Sequence, residues 1–139
     1  MVICTDPKHE PITYKGRSIG ILTLTVAQVL IGTIHLLIGS GLLAAKMTSG
    51  EGVLAYDVYT VLFGALILLF TAFIWQGKRI GWAGTIGVSL FVIVADTLTV
   101  LNLPSVQGIP AFAAPTEIGY SVIVSVYLLL PHVRTKFLP

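Results

Sequence analysis

The chain has 139 residues, of which 55% are hydrophobic and 10% charged, against roughly 25% charged residues in an ordinary soluble domain. Eight basic and six acidic side chains are too few to clothe the wet surface that a soluble domain of this size keeps, so composition excludes that class. The net charge of +2 gives no footing for nucleic-acid binding, and the single cysteine, Cys4, excludes an internal disulfide framework or a multi-cysteine metal site.

Residues 1–17 are polar and carry Pro7 and Pro11, unlike a secretory signal, and Val2 stands where myristoylation needs glycine. A retained cytoplasmic tail without a lipid anchor is expected. Four apolar stretches then follow, each near the 20 residues a helix needs to cross a hydrocarbon core of roughly 30 Å. They run over about 18–45, 53–76, 80–103 and 115–130, the last being the shortest. Between them lie Thr48, Ser49, Gly50 and Gly52, then Gly77, Lys78 and Arg79, then Pro104, Ser105, Gly108 and Pro110, all turn chemistry. The expected architecture is an all-α four-helix transmembrane bundle over 18–131, with tails at 1–17 and 132–139.

Cytoplasmic loops carry the excess of lysine and arginine. Lys8, Lys15, Arg17, Lys78, Arg79, Arg134 and Lys136 fall on one side of such a bundle and Lys46 alone on the other. Both termini and the 77–79 turn are therefore expected in the cytoplasm, with the protein in the cell membrane. Trp75 and Trp82 flank that turn as interface anchors, and Tyr56, Tyr59 and Tyr120 suit a second aromatic belt at the outer ends. Lys78 with Arg79, and Arg134 with Lys136, suit topology better than lipid-headgroup binding, which takes larger clusters.

Small and polar residues recur in each stretch at helical spacing. Thr25, Gln28, Gly32, His35 and Gly39 form one stripe in the first; Asp57, Thr60, Gly64 and Thr71 another in the second. Gly81, Thr85, Ser89, Asp96 and Thr99 mark the third, and Glu117, Ser121 and Ser125 the fourth. Such stripes let backbones approach and hydrogen-bond between helices, so Gln28, Gly32, Gly39, Gly64 and Gly81 are assigned to helix packing. Asp96 costs roughly 2.5–3.5 kcal/mol near a helix centre, less than the roughly 4–7 kcal/mol that the Leu, Ile, Val and Phe of its span return.

His35, Asp57, Asp96 and Glu117 all lie toward the outer half of their spans. Two readings stay open for them. In one they cross-link helices and sit at favourable helix N-termini; in the other they bind a cation or relay protons. No His-x-x-x-His or Glu-x-x-His spacing defines a metal site, and no nucleophile elbow, phosphate loop or zinc-protease motif appears. The chain is read as a non-enzyme with no metal or cofactor.

The run over 28–39, with Gln28, Gly32, His35 and Gly39, resembles the first membrane segment of the membrane-spanning four-domains subfamily A, the family of the B-lymphocyte tetraspan antigen. Ser89, Leu90, Phe91, Asp96 and Asn102 are similar to that family's third segment. The resemblance implies a four-span, non-enzymatic protein with cytoplasmic ends that forms oligomers and associates with other membrane proteins. The chain departs from the family at 104–114, which lacks the cysteine pair of some members, and in the fourth span. Its ending, Pro131, His132, Val133, Arg134 and Phe137, looks like that of small prokaryotic four-span proteins of unknown function. The leading expectation is an accessory or structural subunit of a larger membrane complex, with a membrane oxidoreductase as one candidate host. The alternative is a homo-oligomeric cation or proton channel or transporter using the outward acidic cluster. Expected partners are membrane lipids and other membrane subunits or further copies, and no nucleic acid.

Overall fold

Long apolar runs without internal proline leave the backbone one way to satisfy its own hydrogen bonds, the helix, and the chain takes it four times. The computed structural model describes residues 13–14, 17–50, 54–110 and 112–138; Cys4, Lys8, Lys15 and Gly52 lie outside them. A minimal antiparallel pair, β1 (Thr13–Tyr14) and β2 (Arg17–Ser18), leads into α1 (Ile19–Ser49). Then come α2 (Ala55–Trp75), α3 (Arg79–Val100), α4 (Ala114–Leu129) and a short α5 (Pro131–Arg134).

Three helices, α1 to α3, are long and apolar enough to cross a membrane. At 1.5 Å per residue the 31 residues of α1 extend about 46 Å, and the 16 of α4 only about 24 Å. α1 thus continues past the boundary at 45 suggested by Lys46, ending at Gly50 in the left-handed region (φ 72°), whose N–H bonds to the Lys46 carbonyl.

The other helix ends are closed by local chemistry. At the α2 terminus Gly77 (φ 72°) donates to the Ile74 carbonyl and Lys78 to that of Phe73. This paired closure turns the chain within three residues into α3. Asn102 (φ 55°) does the same for α3, its N–H meeting Thr99 O while Leu103 N–H meets Leu98 O; asparagine tolerates that conformation better than other side chains.

α1 packs on α2, α2 on α3 and α3 on α4, while α4 returns to α1 through side chains, Tyr127 resting on Gly20. We call the end holding the α2–α3 turn, with Lys78, Arg79, Arg134 and Lys136, the basic end, and the opposite end the acidic end. The basic end is closed by a cluster of Ile21, Leu24, Ile74, Val124 and Leu128 with Val133 and Phe137. The segment after α4, expected as a tail, is therefore folded onto the bundle. Trp82, expected as an interface anchor, also donates from Nε1 to the Leu128 carbonyl at 2.9 Å, a carbonyl in the last turn of α4 that the helix itself leaves unpaired.

Candidate functional site

Glycine places the helices close enough for polar groups to meet. A Cβ on Gly64 would stand 2.8 Å from Gly32 O and 2.9 Å from Leu36 N, so α1 and α2 touch backbone to backbone there. Gly39 sits as closely on Thr60 and Val61, and Gly81 on Phe73 and Ile74. Gln28 is buried beside them, its Oε1 accepting from Thr71 Oγ1 at 3.1 Å. Thr85, Ser89, Ser121 and Ser125 are buried as well, so the polar stripes of the four helices face one interior.

Above this interior, toward the acidic end, three ionisable groups approach one another. His35 comes from the middle of α1, Glu117 from the first turn of α4 and Asp96 from the last turns of α3. His35 Nδ1 lies 2.8 Å from the Ile31 carbonyl, and Nε2 lies 3.9 Å from Glu117 Oε1. The imidazole also stands edge-on to Phe63, with ring centroids 5.0 Å apart. Asp96 is 0% exposed, and no donor among the described residues reaches either of its carboxylate oxygens. The group facing it is the Glu117 carboxyl. Tyr59, on α2, lies near both acids, and its hydroxyl too has no partner among the described residues.

Asp57 is committed elsewhere. It is as buried as Asp96, but its Oδ2 lies 2.8 Å from the ammonium of Lys46, which reaches down from the last turn of α1. The four residues read together in the sequence thus divide into a His35, Glu117, Asp96 cluster and a Lys46–Asp57 ion pair. Lys46 was counted in the sequence only as a loop charge. Its partner had a local signal, an acid in the first turn of the following helix, but no spacing rule joins residues across two helices.

The cluster communicates with the outside through a cavity of about 190 Å³ lined by Ile31, His35, Phe63, Thr116, Glu117 and Tyr120. In the opposite direction the interior closes. The space among Gln28, Thr85, Ser89 and Tyr120 amounts to about 10 Å³, about what one water requires, and Phe63, Ile67 and Val92 pack beside it. Among the described residues no group of three His, Cys, Asp or Glu side chains is arranged to hold a metal ion.

A second feature lies on the flank. Between α2 and α3 runs an apolar groove of about 700 Å³, lined by Val58, Leu62, Leu66, Gly87 and Phe91, with Ser105 and Gln107 at its acidic end. No atom lies within 4 Å of where a Gly87 Cβ would be, and Ala83, one turn earlier, is exposed. Position 87 was not singled out in the sequence, because a glycine off the polar stripe carries no periodic signal. No known family, curated protein or solved structure matches the chain.

Proposed function

We propose that the protein is a non-catalytic, four-span subunit of a larger membrane assembly, and that it receives a transmembrane helix of another subunit in the α2–α3 groove. The observation that carries this reading is the groove itself: about 700 Å³, apolar, between two helices long enough to span a membrane, and lined in part by the exposed Gly87. Ala83 and Gly87 are four residues apart on that exposed face. Small residues so spaced let two backbones come close and exchange dispersion contacts, a provision that a fluid acyl chain does not need. The resemblance of the Gln28 to Gly39 run to a family of associating four-span proteins points the same way. The basic end is assigned to the cytoplasm, and α4 is taken as the fourth span.

The competing reading, a cation or proton channel made of several copies, draws on the buried Asp96. It is disfavoured within a single bundle because the space at the centre, about 10 Å³, leaves no water-filled path.

Purification from native membranes in mild detergent tests the assignment. A foreign subunit in fixed proportion is expected, and Gly87→Trp should release it while leaving the four helices folded, since position 87 opens on free space. A pure homo-oligomer favours the channel reading. Retention of the foreign subunit by Gly87→Trp assigns the groove to lipid and removes it from the assembly.

A further inference from the structure

Toward the acidic end three acceptors, His35 Nε2 and the carboxyls of Glu117 and Asp96, face one another with no donor between them among the described residues. His35 Nδ1 faces the Ile31 carbonyl at 2.8 Å, and a carbonyl only accepts, so the ring proton is on Nδ1. In the neutral ring, Nε2 is then a bare lone pair, pointed at Glu117 Oε1 from 3.9 Å. Glu117 in turn faces Asp96, whose two oxygens are fully buried and unpartnered among the described residues. Buried acceptors left so are costly, and two ionised carboxylates side by side repel. Each contact becomes favourable when a proton is placed in it.

We propose that Asp96, Glu117 and His35 form a proton-binding site, in which one proton is shared between the two carboxyls and a second is held on His35 Nε2 against Glu117. The unpartnered, 0% exposed Asp96 is an observation separate from the clustering of acids. The site exchanges with the acidic end only. His35 and Glu117 keep 22% and 17% of their side chains exposed, on the cavity of about 190 Å³, whereas Asp96 lies behind them and the interior beyond is closed.

Loading is a simple proton transfer: a hydronium ion or buffer acid gives its proton to a Glu117 oxygen, and the new O–H donates to Asp96. Unloading reverses this, and no oxidant or reductant takes part. The other ionisable groups nearby are Tyr56 and Tyr59 on α2 and Tyr120 on α4, with Asp57 held by Lys46. A proton is favoured over a metal ion because His35, Glu117 and Asp96 are not arranged as a group that could hold one, and no such group of three occurs among the described residues. The inference stands apart from the assembly proposed above, and neither needs the other.

The test is infrared spectroscopy of the full chain in lipid nanodiscs at neutral pH, reading the protonated-carboxyl stretch identified by its shift in D₂O. Wild type should show such a band, and Asp96→Asn and Glu117→Gln should each lose it, because the introduced amide supplies the missing N–H donor. Asp57→Asn should keep it. A wild type without the band, or a band that survives both variants, overturns the site. A band that vanishes when sodium chloride replaces choline chloride shows a cation displacing the proton and also overturns it. Vesicles loaded with a pH-sensitive dye examine the closed side: wild type should leak protons no faster than protein-free vesicles, and a faster leak overturns one-sided exchange. If the variants fail to fold, the wild-type band, its response to sodium and the leak decide alone.

Discussion

Asp57 shows how a charge is kept inside an apolar bundle. Its carboxylate is fully buried, and the Lys46 ammonium 2.8 Å away compensates it. Removing one partner of a buried pair strands the other, whereas replacing both with apolar groups is often neutral. Lys46→Met is therefore expected to destabilise the protein by about 3 kcal/mol, the low end for such a loss, since Lys46 keeps 33% of its side chain exposed. The double variant Lys46→Met, Asp57→Leu should recover most of that in mixed-micelle unfolding by dodecyl sulfate. A double variant as unstable as the single one would show that the pair is not what holds α1 to α2 at this end. Trp82→Phe should cost about 1 kcal/mol in the same measurement, the ordinary worth of one hydrogen bond, because it frees the Leu128 carbonyl.

At the scale of elements, glycines divide into those that bring helices together and those that face open space. Gly64→Ala drives a methyl against Gly32 O and Leu36 N, both backbone and unable to rotate away, so α1 and α2 must part at a cost of about 2 kcal/mol. Gly119→Ala meets nothing within 4 Å on α4 and should gain about 0.5–1 kcal/mol from helix propensity. Equal effects at the two positions, read by the same unfolding titration, would remove close backbone packing as the basis of the α1–α2 contact. The contrast also marks what was legible in the sequence. Helical periodicity identified the face carrying Gly32, Gly64 and Asp96, because a span rejects polar groups from lipid and the spacing then selects one side. It did not identify levels. Which residues meet across two helices depends on where each helix ends, and α1 runs on to Ser49 beyond the boundary read from Lys46. That extension carries Lys46 to Asp57 and leaves the proposed proton site to His35, Glu117 and Asp96. The folding of Val133 and Phe137 onto the basic end was equally hidden, since a few apolar residues among charges have no period to detect.

For the whole molecule, charge placement and helix length bear on which end faces the cytoplasm and on whether α4 crosses. The proposed cytoplasmic placement of the basic end rests on the sequence, with seven basic residues in its segments against Lys46 alone, because cytoplasmic loops carry the excess of lysine and arginine. α4 is short, about 24 Å against roughly 30 Å of hydrocarbon, yet its start packs at Ala114 against Ala95 near the end of α3, and its finish holds Trp82 near the start of α3. It therefore runs back along most of α3, and the chain leaves it at the basic end. In a Cys4→Ser background, single cysteines at the exposed positions Ser49 and Gln107 should react with a membrane-impermeant thiol reagent on intact cells. Cysteines at Gln76 and Thr135, also exposed, should react only after permeabilisation. Gln76 is preferred to Gly77, whose φ of 72° would strain any side chain. Labelling of Gln76 but not Ser49 from outside would invert the whole orientation. Labelling of Thr135 together with Ser49 and Gln107, with Gln76 still protected, would mean that α4 does not complete a fourth crossing, and the cluster around Glu117 would then need a different account.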